Sequence, residues 1–146
     1  MADKIKVYKI FIDGIDKSGK DLIAAYVDQL SGHKYVVKSR GVLSQIAYSY
    51  LYHRTFEYDL SSEANTLHVL LKVDFDDWRV RCKMTNEPEI DFAKNVAAFD
   101  YAFDLTADKL HIECFNTSVK TPYRIAEAII AIAESLDWRQ QNDKTD

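Results

Sequence analysis

Apolar side chains along this chain fall into short continuous runs and into longer stretches in which they recur every three or four positions. The short runs are rich in β-branched and aromatic residues and predict strands at positions 5–12, 35–37, 67–73 and 110–115. The helical spacing predicts helices over 20–30, 41–51 and 92–103. It also predicts a helix that is capped by Asp74 or Asp76 and ends at position 86, and a last helix that begins at Thr121-Pro122. The polar stretch 56–65 follows neither period and is predicted as a loop.

Strands and helices alternate along the whole chain. Such alternation is typical of an α/β fold, in which right-handed crossovers place helices on both faces of a parallel sheet. The third predicted strand, 67–73, is almost continuously apolar, as expected for a strand that is buried on both faces. We therefore expect a three-layer α/β/α architecture with a parallel sheet of about four strands. In such sheets, ligands bind beyond the carboxyl ends of the strands.

The composition limits the number of domains and the kinds of partner. With 146 residues, of which 47% are hydrophobic, the chain fits one domain, which we place at 1–138 before a polar tail at 139–146. A net charge of −4 argues against a broad basic surface for duplex nucleic acid. The sequence has no run of roughly 20 apolar residues, no signal-peptide pattern and no disulfide framework around Cys82 and Cys114. We therefore expect a cytoplasmic protein without a membrane partner.

One motif indicates a specific chemistry. Between the first predicted strand and the first predicted helix, the pattern GxxxxGK is satisfied by Gly14, Ile15, Asp16, Lys17, Ser18, Gly19 and Lys20. Glycines in this setting let the backbone curl so that successive amides point at phosphate oxygens, and the helix N-terminus adds partial positive charge. Lys20 would reach the β- and γ-phosphates. The motif predicts an ATP site; a glycine-rich turn without a ligand is the alternative.

The residue after this motif departs from the usual pattern. Ser or Thr commonly stands there and holds Mg²⁺ through its hydroxyl, whereas this chain has Asp21. A carboxylate also binds Mg²⁺, so Asp21 is a candidate metal ligand. Alternatively, Asp21 is an acid in the first turn that interacts favourably with the helix dipole. The sequence leaves both roles open.

Four segments, taken in order, resemble the thymidylate kinase family of P-loop nucleoside monophosphate kinases. Segment 11–20 reads FIDGIDKSGK, and segment 39–48 reads SRGVLSQIAY, which is similar to the family's D-R-[YG]-x-x-S-x-x-A-Y. Segment 70–92 is similar to the family's strand, basic lid and N-E-x-x-D-F-type region, and 116–122 to its final strand-to-helix junction. The resemblance implies a P-loop kinase fold that transfers the γ-phosphate of ATP to a deoxynucleoside monophosphate resembling dTMP, with Mg²⁺ as cofactor.

The resemblance also implies roles on the donor side. Lys20 would cradle the β- and γ-phosphates, and Lys17 would steady the charge on the transferring phosphoryl group. Thr117 and Ser118 would border the donor base. A basic group on or beside a mobile lid would help to neutralise the phosphates, namely Arg79, Arg81 and Lys83. An ordinary solvated helix face is the alternative for that group.

On the acceptor side, the resemblance implies that Asp16 contacts the sugar hydroxyl and that Arg40 holds the phosphate. Arginine suits this role because its planar fork binds two phosphate oxygens at once. The other residues of the acceptor site would be Asp13, Ser44 and Tyr48.

Two features separate the chain from the family it resembles. Ser39 stands where the family has an acid that organises the metal. Our hypothesis is that this acid has moved to Asp21, so that the metal keeps one carboxylate. In addition, Lys20 and Arg40 are only 20 residues apart, whereas the family has a longer stretch there that supplies a strand and part of the acceptor pocket. The acceptor site must then be more open, be completed by a second copy in a homodimer, or serve another substrate.

Three functions therefore remain open from the sequence. The first is a deoxynucleoside monophosphate kinase. The second is a P-loop kinase that acts on a hydroxyl of a modified nucleotide or of a nucleic-acid end, which an open acceptor site would favour. The third is a catalytically degenerate nucleotide-binding protein, which Asp21 and Ser39 suggest. All three require nucleotide binding at 14–20.

Overall fold

The structure is a computed structural model that describes residues 6–55, 57 and 59–143. Its strands are β1 (Lys9–Gly14), β2 (Val36–Ser39), β3 (Thr66–Lys72) and β4 (His111–Asn116). Its α-helices are α1 (Lys20–Leu30), α2 (Val42–Leu51), α3 (Phe75–Met84), α4 (Phe92–Thr106) and α5 (Pro122–Asp143), and a 3₁₀ turn spans Leu60–Glu63.

The four strands form one parallel sheet in the order β2-β1-β3-β4. This arrangement confirms the predicted α/β architecture and its four-stranded parallel sheet. β1 lies between β2 and β3, with Ile12 opposite Ser39 on one side and Val69 on the other. The loop that leaves β1 is therefore bordered by the carboxyl ends of two neighbouring strands, which is where ligands bind in sheets of this kind.

Helices cover both faces of the sheet, and each face has its own apolar core. On one face, α1 and α5 pack against alternate strand residues, among them Ile10, Ile12 and Val69. On the other face, α2, α3 and α4 bury a second cluster that includes Leu43, Leu70 and Trp78. The period-two alternation of the central strands sends side chains to both cores, as expected for strands in a three-layer fold.

The observed elements differ from the predicted ones mainly at their ends. The parallel ladder of β1 begins at Lys9, opposite Val36 and Thr66, whereas the prediction began at position 5, which lies outside the described residues. The predicted loop 56–65 contains the 3₁₀ turn. The backbone of α5 continues to Asp143, so the predicted polar tail begins inside a helix. Within the described range, none of the helices has both the length and the apolar character that crossing a bilayer requires.

A histidine is buried in the middle of this fold. His68 on β3 is 0% exposed and stacks on Phe11, with ring centroids 6.0 Å apart. Neither of its ring nitrogens has a hydrogen-bond partner within the described structure, and Nε2 lies 3.3 Å from Glu63 Oε2. Burial lowers the pKa of His68 to about 4, with a smaller contribution from His111. The imidazole is therefore neutral at pH 7, and its contact with Glu63 is not an ion pair there.

We predict that this histidine makes the fold sensitive to acid. Because the pKa of His68 is about 4 in the folded chain and about 6.5 in the unfolded chain, the unfolded state takes up the proton first as the pH falls. The free energy of unfolding should fall by about 2 kcal/mol between pH 7 and pH 5 through this residue alone. Urea denaturation of the wild type and of His68→Leu across this range should show a shallower pH dependence in the variant.

The matched control is His53→Asn, which changes an exposed histidine that has no ion pair within the described residues. Its backbone is left-handed, with φ 55°, and asparagine tolerates that conformation. Its pH dependence should follow the wild type. Identical slopes for His68→Leu and the wild type would show that His68 does not govern the acid response.

Candidate functional site

The loop between β1 and α1 folds into a tight curl. Gly19, which caps α1, has φ 97°, and Lys17 has φ 66°, so both adopt the left-handed conformation. The Ser18 amide donates to the Ile15 carbonyl oxygen at 3.1 Å and closes the turn. A backbone of this shape directs successive N–H groups into an anion-binding concavity. The N-terminus of α1 adds partial positive charge at the same place.

The first glycine of the motif is packed so closely that a larger residue does not fit. A Cβ on Gly14 would lie 2.5 Å from Ser18 Oγ and 3.0 Å from the Leu71 carbonyl oxygen. The absence of a side chain lets the loop lie directly against the end of β3. Ser18 is buried there, and its hydroxyl has no hydrogen-bond partner among the described residues. The hydrogen bond from the Ser18 amide and the close packing at Gly14 therefore hold the loop in its curled shape.

The motif lysine lies beneath the loop rather than in solvent. Lys20 is 4% exposed, and its Nζ donates to the Ile15 carbonyl oxygen at 3.3 Å. Burial lowers the pKa of Lys20, and the positive charge of Arg40 lowers that pKa further. Two cations that repel each other beside a concave loop are both stabilised when an anion lies between them. The charges of Asp16, Asp21 and Asp13 act in the opposite direction and raise the pKa of Lys20. The groups that favour a phosphate here are therefore the two cations together with the loop amides.

Asp13 fixes the segment that carries Arg40. It is completely buried, and its Oδ1 accepts hydrogen bonds from the Gly41 amide at 2.7 Å, from the Ser44 amide at 3.1 Å and from the Ser44 hydroxyl. These are groups of the first turn of α2, so a β1 carboxylate caps that helix. Burial raises the pKa of Asp13, although the same hydrogen bonds oppose the rise. The cap holds the chain at Arg40, which has φ 71°.

The two residues that depart from the family pattern contact each other. Ser39, at the end of β2, donates its hydroxyl hydrogen to Asp21 Oδ1 at 2.6 Å. They meet because β2 is the neighbour of β1 and ends beside the first turn of α1. A carboxylate and a hydroxyl therefore lie side by side at the mouth of the loop. In the described part of the chain, no group of three or more His, Cys, Asp or Glu side chains is arranged to hold a metal ion.

Arg81 joins the loop to the segment after β4. Its Nη1 donates to the Lys17 carbonyl oxygen at 2.9 Å and to Thr117 Oγ1 at 3.0 Å, and its Nη2 donates to the Thr117 carbonyl oxygen at 3.3 Å. From the same helix, Trp78 Nε1 donates to the Asp16 carbonyl oxygen at 3.1 Å. α3 thus holds the outer side of the loop by two carbonyl groups. Arg81 is half-buried, and its guanidinium is engaged by the protein rather than solvated.

Three other predicted donor-side residues also have partners within the protein. Lys17 Nζ forms an ion pair with Glu87 at 2.7 Å, and this contact raises the pKa of Lys17. Arg79 Nε pairs with Glu89 at 3.2 Å, and both of these side chains are exposed. The Ser118 hydroxyl accepts from the Asp74 amide at 2.9 Å. Their predicted contacts with ATP remain predictions.

An open cleft of about 590 Å³ lies between α2 and the first turn of α4. Three residues of the predicted site line it: Asp16, Arg40 and Tyr48. Burial raises the pKa of the Tyr48 hydroxyl. The remaining lining residues were not predicted, namely Leu51, Tyr52, Ile90, Asp91, Lys94 and Asn95. Helical spacing marked the α4 region as a packing helix, but no spacing rule shows that its first turn approaches Arg40.

Comparison with solved structures identifies a similar fold. The structure of thymidylate kinase from Candida albicans, described as revealing the origin of its broad substrate specificity and a novel structural element, aligns with a TM-score of 0.56 at 12% sequence identity. The alignment covers 89% of this chain and 92% of that chain. At this identity the likeness establishes the fold. No protein-family model matches the sequence, and no curated protein matches it.

We predict that Arg81→Lys loosens the loop and lowers stability. Lysine cannot reproduce the guanidinium fork, so the hydrogen bonds to Lys17 and Thr117 would be lost in part. The free energy of unfolding should fall by about 2 kcal/mol, measured by urea denaturation.

Arg79→Lys is the matched control, because it makes the same change two positions earlier in α3 at an exposed ion pair. It should change stability by no more than about 0.5 kcal/mol. Equal effects of the two substitutions would refute the bridging role of Arg81.

Proposed function

We propose that this protein is a P-loop nucleotide kinase that transfers the γ-phosphate of ATP to a deoxynucleoside monophosphate. The observation that carries the proposal is the curled loop 14–20 with Lys20 buried beneath it and Arg40 close enough to lower its pKa. The loop amides and Lys20 would bind the β- and γ-phosphates of ATP, as in other P-loop proteins. The fold shared with a thymidylate kinase supports a nucleotide as the acceptor.

The arrangement of charges suits phosphoryl transfer. The transition state spreads negative charge over the oxygens of the moving phosphoryl group, and catalysis consists largely of positioning and charge stabilisation. Lys20 would contact the donor phosphates and Arg40 the acceptor phosphate, so the moving group would pass between two cations. Asp16 and Tyr48 line the cleft beside Arg40 and would orient the sugar of the acceptor.

Asp21 and Ser39 fit the Mg²⁺ that such a kinase requires. Mg²⁺ typically takes one or two carboxylates from the protein and completes its shell with substrate phosphates and water. The contact between Asp21 and Ser39 places one carboxylate and one hydroxyl at the mouth of the loop. These are the two ligand types that the resembled family has at the same two positions, in exchanged order. When bound, the ion would neutralise charge on the donor phosphates.

We predict that Lys20→Met abolishes most ATP binding. The substitution keeps the unbranched side chain but removes the ammonium group, so the affinity for Mg·ATP should fall by about tenfold or more. Isothermal titration calorimetry measures this affinity directly. Lys109→Met, at an exposed lysine in the turn after α4, is the matched control and should bind as the wild type does. Unchanged affinity in Lys20→Met would rule out the proposed site.

A reciprocal exchange tests the metal site. Asp21→Ser should weaken Mg²⁺-dependent phosphoryl transfer by about tenfold or more, because the pair then lacks its carboxylate. The double substitution Asp21→Ser with Ser39→Asp restores one carboxylate and one hydroxyl in the opposite order, and it should recover activity to within about threefold of the wild type.

The assay is transfer of labelled γ-phosphate to deoxynucleoside monophosphates over a range of Mg²⁺ concentrations. Additive losses in the double variant would mean that the two positions do not share a metal. Retained ATP binding without transfer to any acceptor would favour a catalytically degenerate nucleotide-binding protein.

A further inference from the structure

The acceptor cleft is lined by two cations, Arg40 and Lys94. Within the described residues, neither Arg40 nor Lys94 takes part in an ion pair or in a side-chain hydrogen bond. Several other cations around the site are matched, including Lys17 by Glu87 and Arg79 by Glu89. A cation that lines a concave site without a counter-ion is available for an anionic ligand.

The same cleft is also lined by two acids, Asp16 and Asp91. Asp91 caps α4 through its Oδ1, which accepts from the Lys94 amide at 3.0 Å, so the helix N-terminus offsets its charge. Asp16 belongs to the curled loop, where Trp78 holds its backbone. Its carboxylate acts on Lys20 and Tyr48, and the proposed function assigns it to the sugar of the acceptor, which leaves the phosphate to the cations. Lys94 is exposed in the first turn of α4, and Arg40 precedes α2, so the two cations come from the two walls of the cleft.

The chemistry of the cations indicates what they would hold together. A phosphate monoester carries close to two negative charges at neutral pH. The guanidinium of Arg40 can bind two of its oxygens at once, and the Lys94 ammonium adds a point charge on a flexible stem. The cleft volume of about 590 Å³ lies within the range typical of sites for small molecules. The cleft therefore has room for a nucleotide, and its two lining cations suit the charge of a phosphate monoester.

We infer that Lys94 is a second phosphate-binding cation of the acceptor cleft, in addition to Arg40. This inference rests on the proposed function and deepens it. The first turn of α4 then supplies part of the acceptor site from within the same chain. The cleft should favour a nucleoside monophosphate strongly over the corresponding nucleoside, and Lys94 should account for much of that preference.

The test compares dTMP with thymidine in the presence of Mg²⁺ and a non-hydrolysable ATP analogue. In the wild type, calorimetry should show dTMP binding more tightly than thymidine. Lys94→Ala should weaken dTMP binding by about tenfold and leave the affinities for thymidine and for the ATP analogue unchanged. Lys94→Arg should retain most of the dTMP affinity, and Lys109→Ala should match the wild type. Circular dichroism of each variant checks that it is folded, and Lys94→Gln provides a second neutral variant.

The outcomes separate the inference from the function on which it rests. Failure of the wild type to bind the ATP analogue would refute the proposed function itself. In a second outcome, the wild type binds the analogue, while the wild type, Lys94→Ala and Lys94→Gln all bind dTMP with equal affinity. That result would refute the role of Lys94 alone. Equal loss of dTMP and thymidine binding in the variants would also overturn the inference, because a phosphate-binding residue should spare the nucleoside.

Discussion

The confinement of the Lys20 ammonium beneath the curled loop is the constraint on which the candidate site depends. This buried, poorly solvated charge is stabilised by carbonyl oxygens of the loop, by the carboxylates of Asp16, Asp21 and Asp13, and by any anion above the loop. In the structure it reaches the Ile15 carbonyl oxygen at 3.3 Å, while Arg40 lowers its pKa. A polyphosphate would relieve both the desolvation and the repulsion. The local electrostatics therefore favour a bound anion over an empty loop.

The surrounding fold serves mainly to hold this loop and its neighbours in place. Gly14 allows the loop to touch β3, and Arg81 and Trp78 hold its outer carbonyl groups from α3. Asp13 caps α2 from within the sheet and thereby fixes the chain at Arg40. Most of these contacts are hydrogen bonds between groups far apart in sequence, so the site is preorganised by tertiary structure.

Local patterns in the sequence were sufficient to predict the fold and the position of the loop, but not the contacts that surround the loop. Strand and helix periodicity predicted the four-stranded parallel sheet, and GxxxxGK between strand and helix placed Lys20 correctly at the start of α1. The contact of Asp21 with Ser39 and the approach of Lys94 to the cleft depend on which strands and helices are neighbours. One-dimensional periodicity carries no information about those neighbours.

Binding of the phosphates of ATP by the curled loop is the step on which the proposed function depends. Backbone amide chemical shifts of the ¹⁵N-labelled protein, recorded during titration with Mg·ATP, test it most directly because each amide of the loop is observed separately. We expect saturable shifts concentrated at residues 14–21, with smaller ones at Arg40 and Thr117. Saturating Mg·ATP that leaves the amides of residues 14–21 unchanged would contradict it.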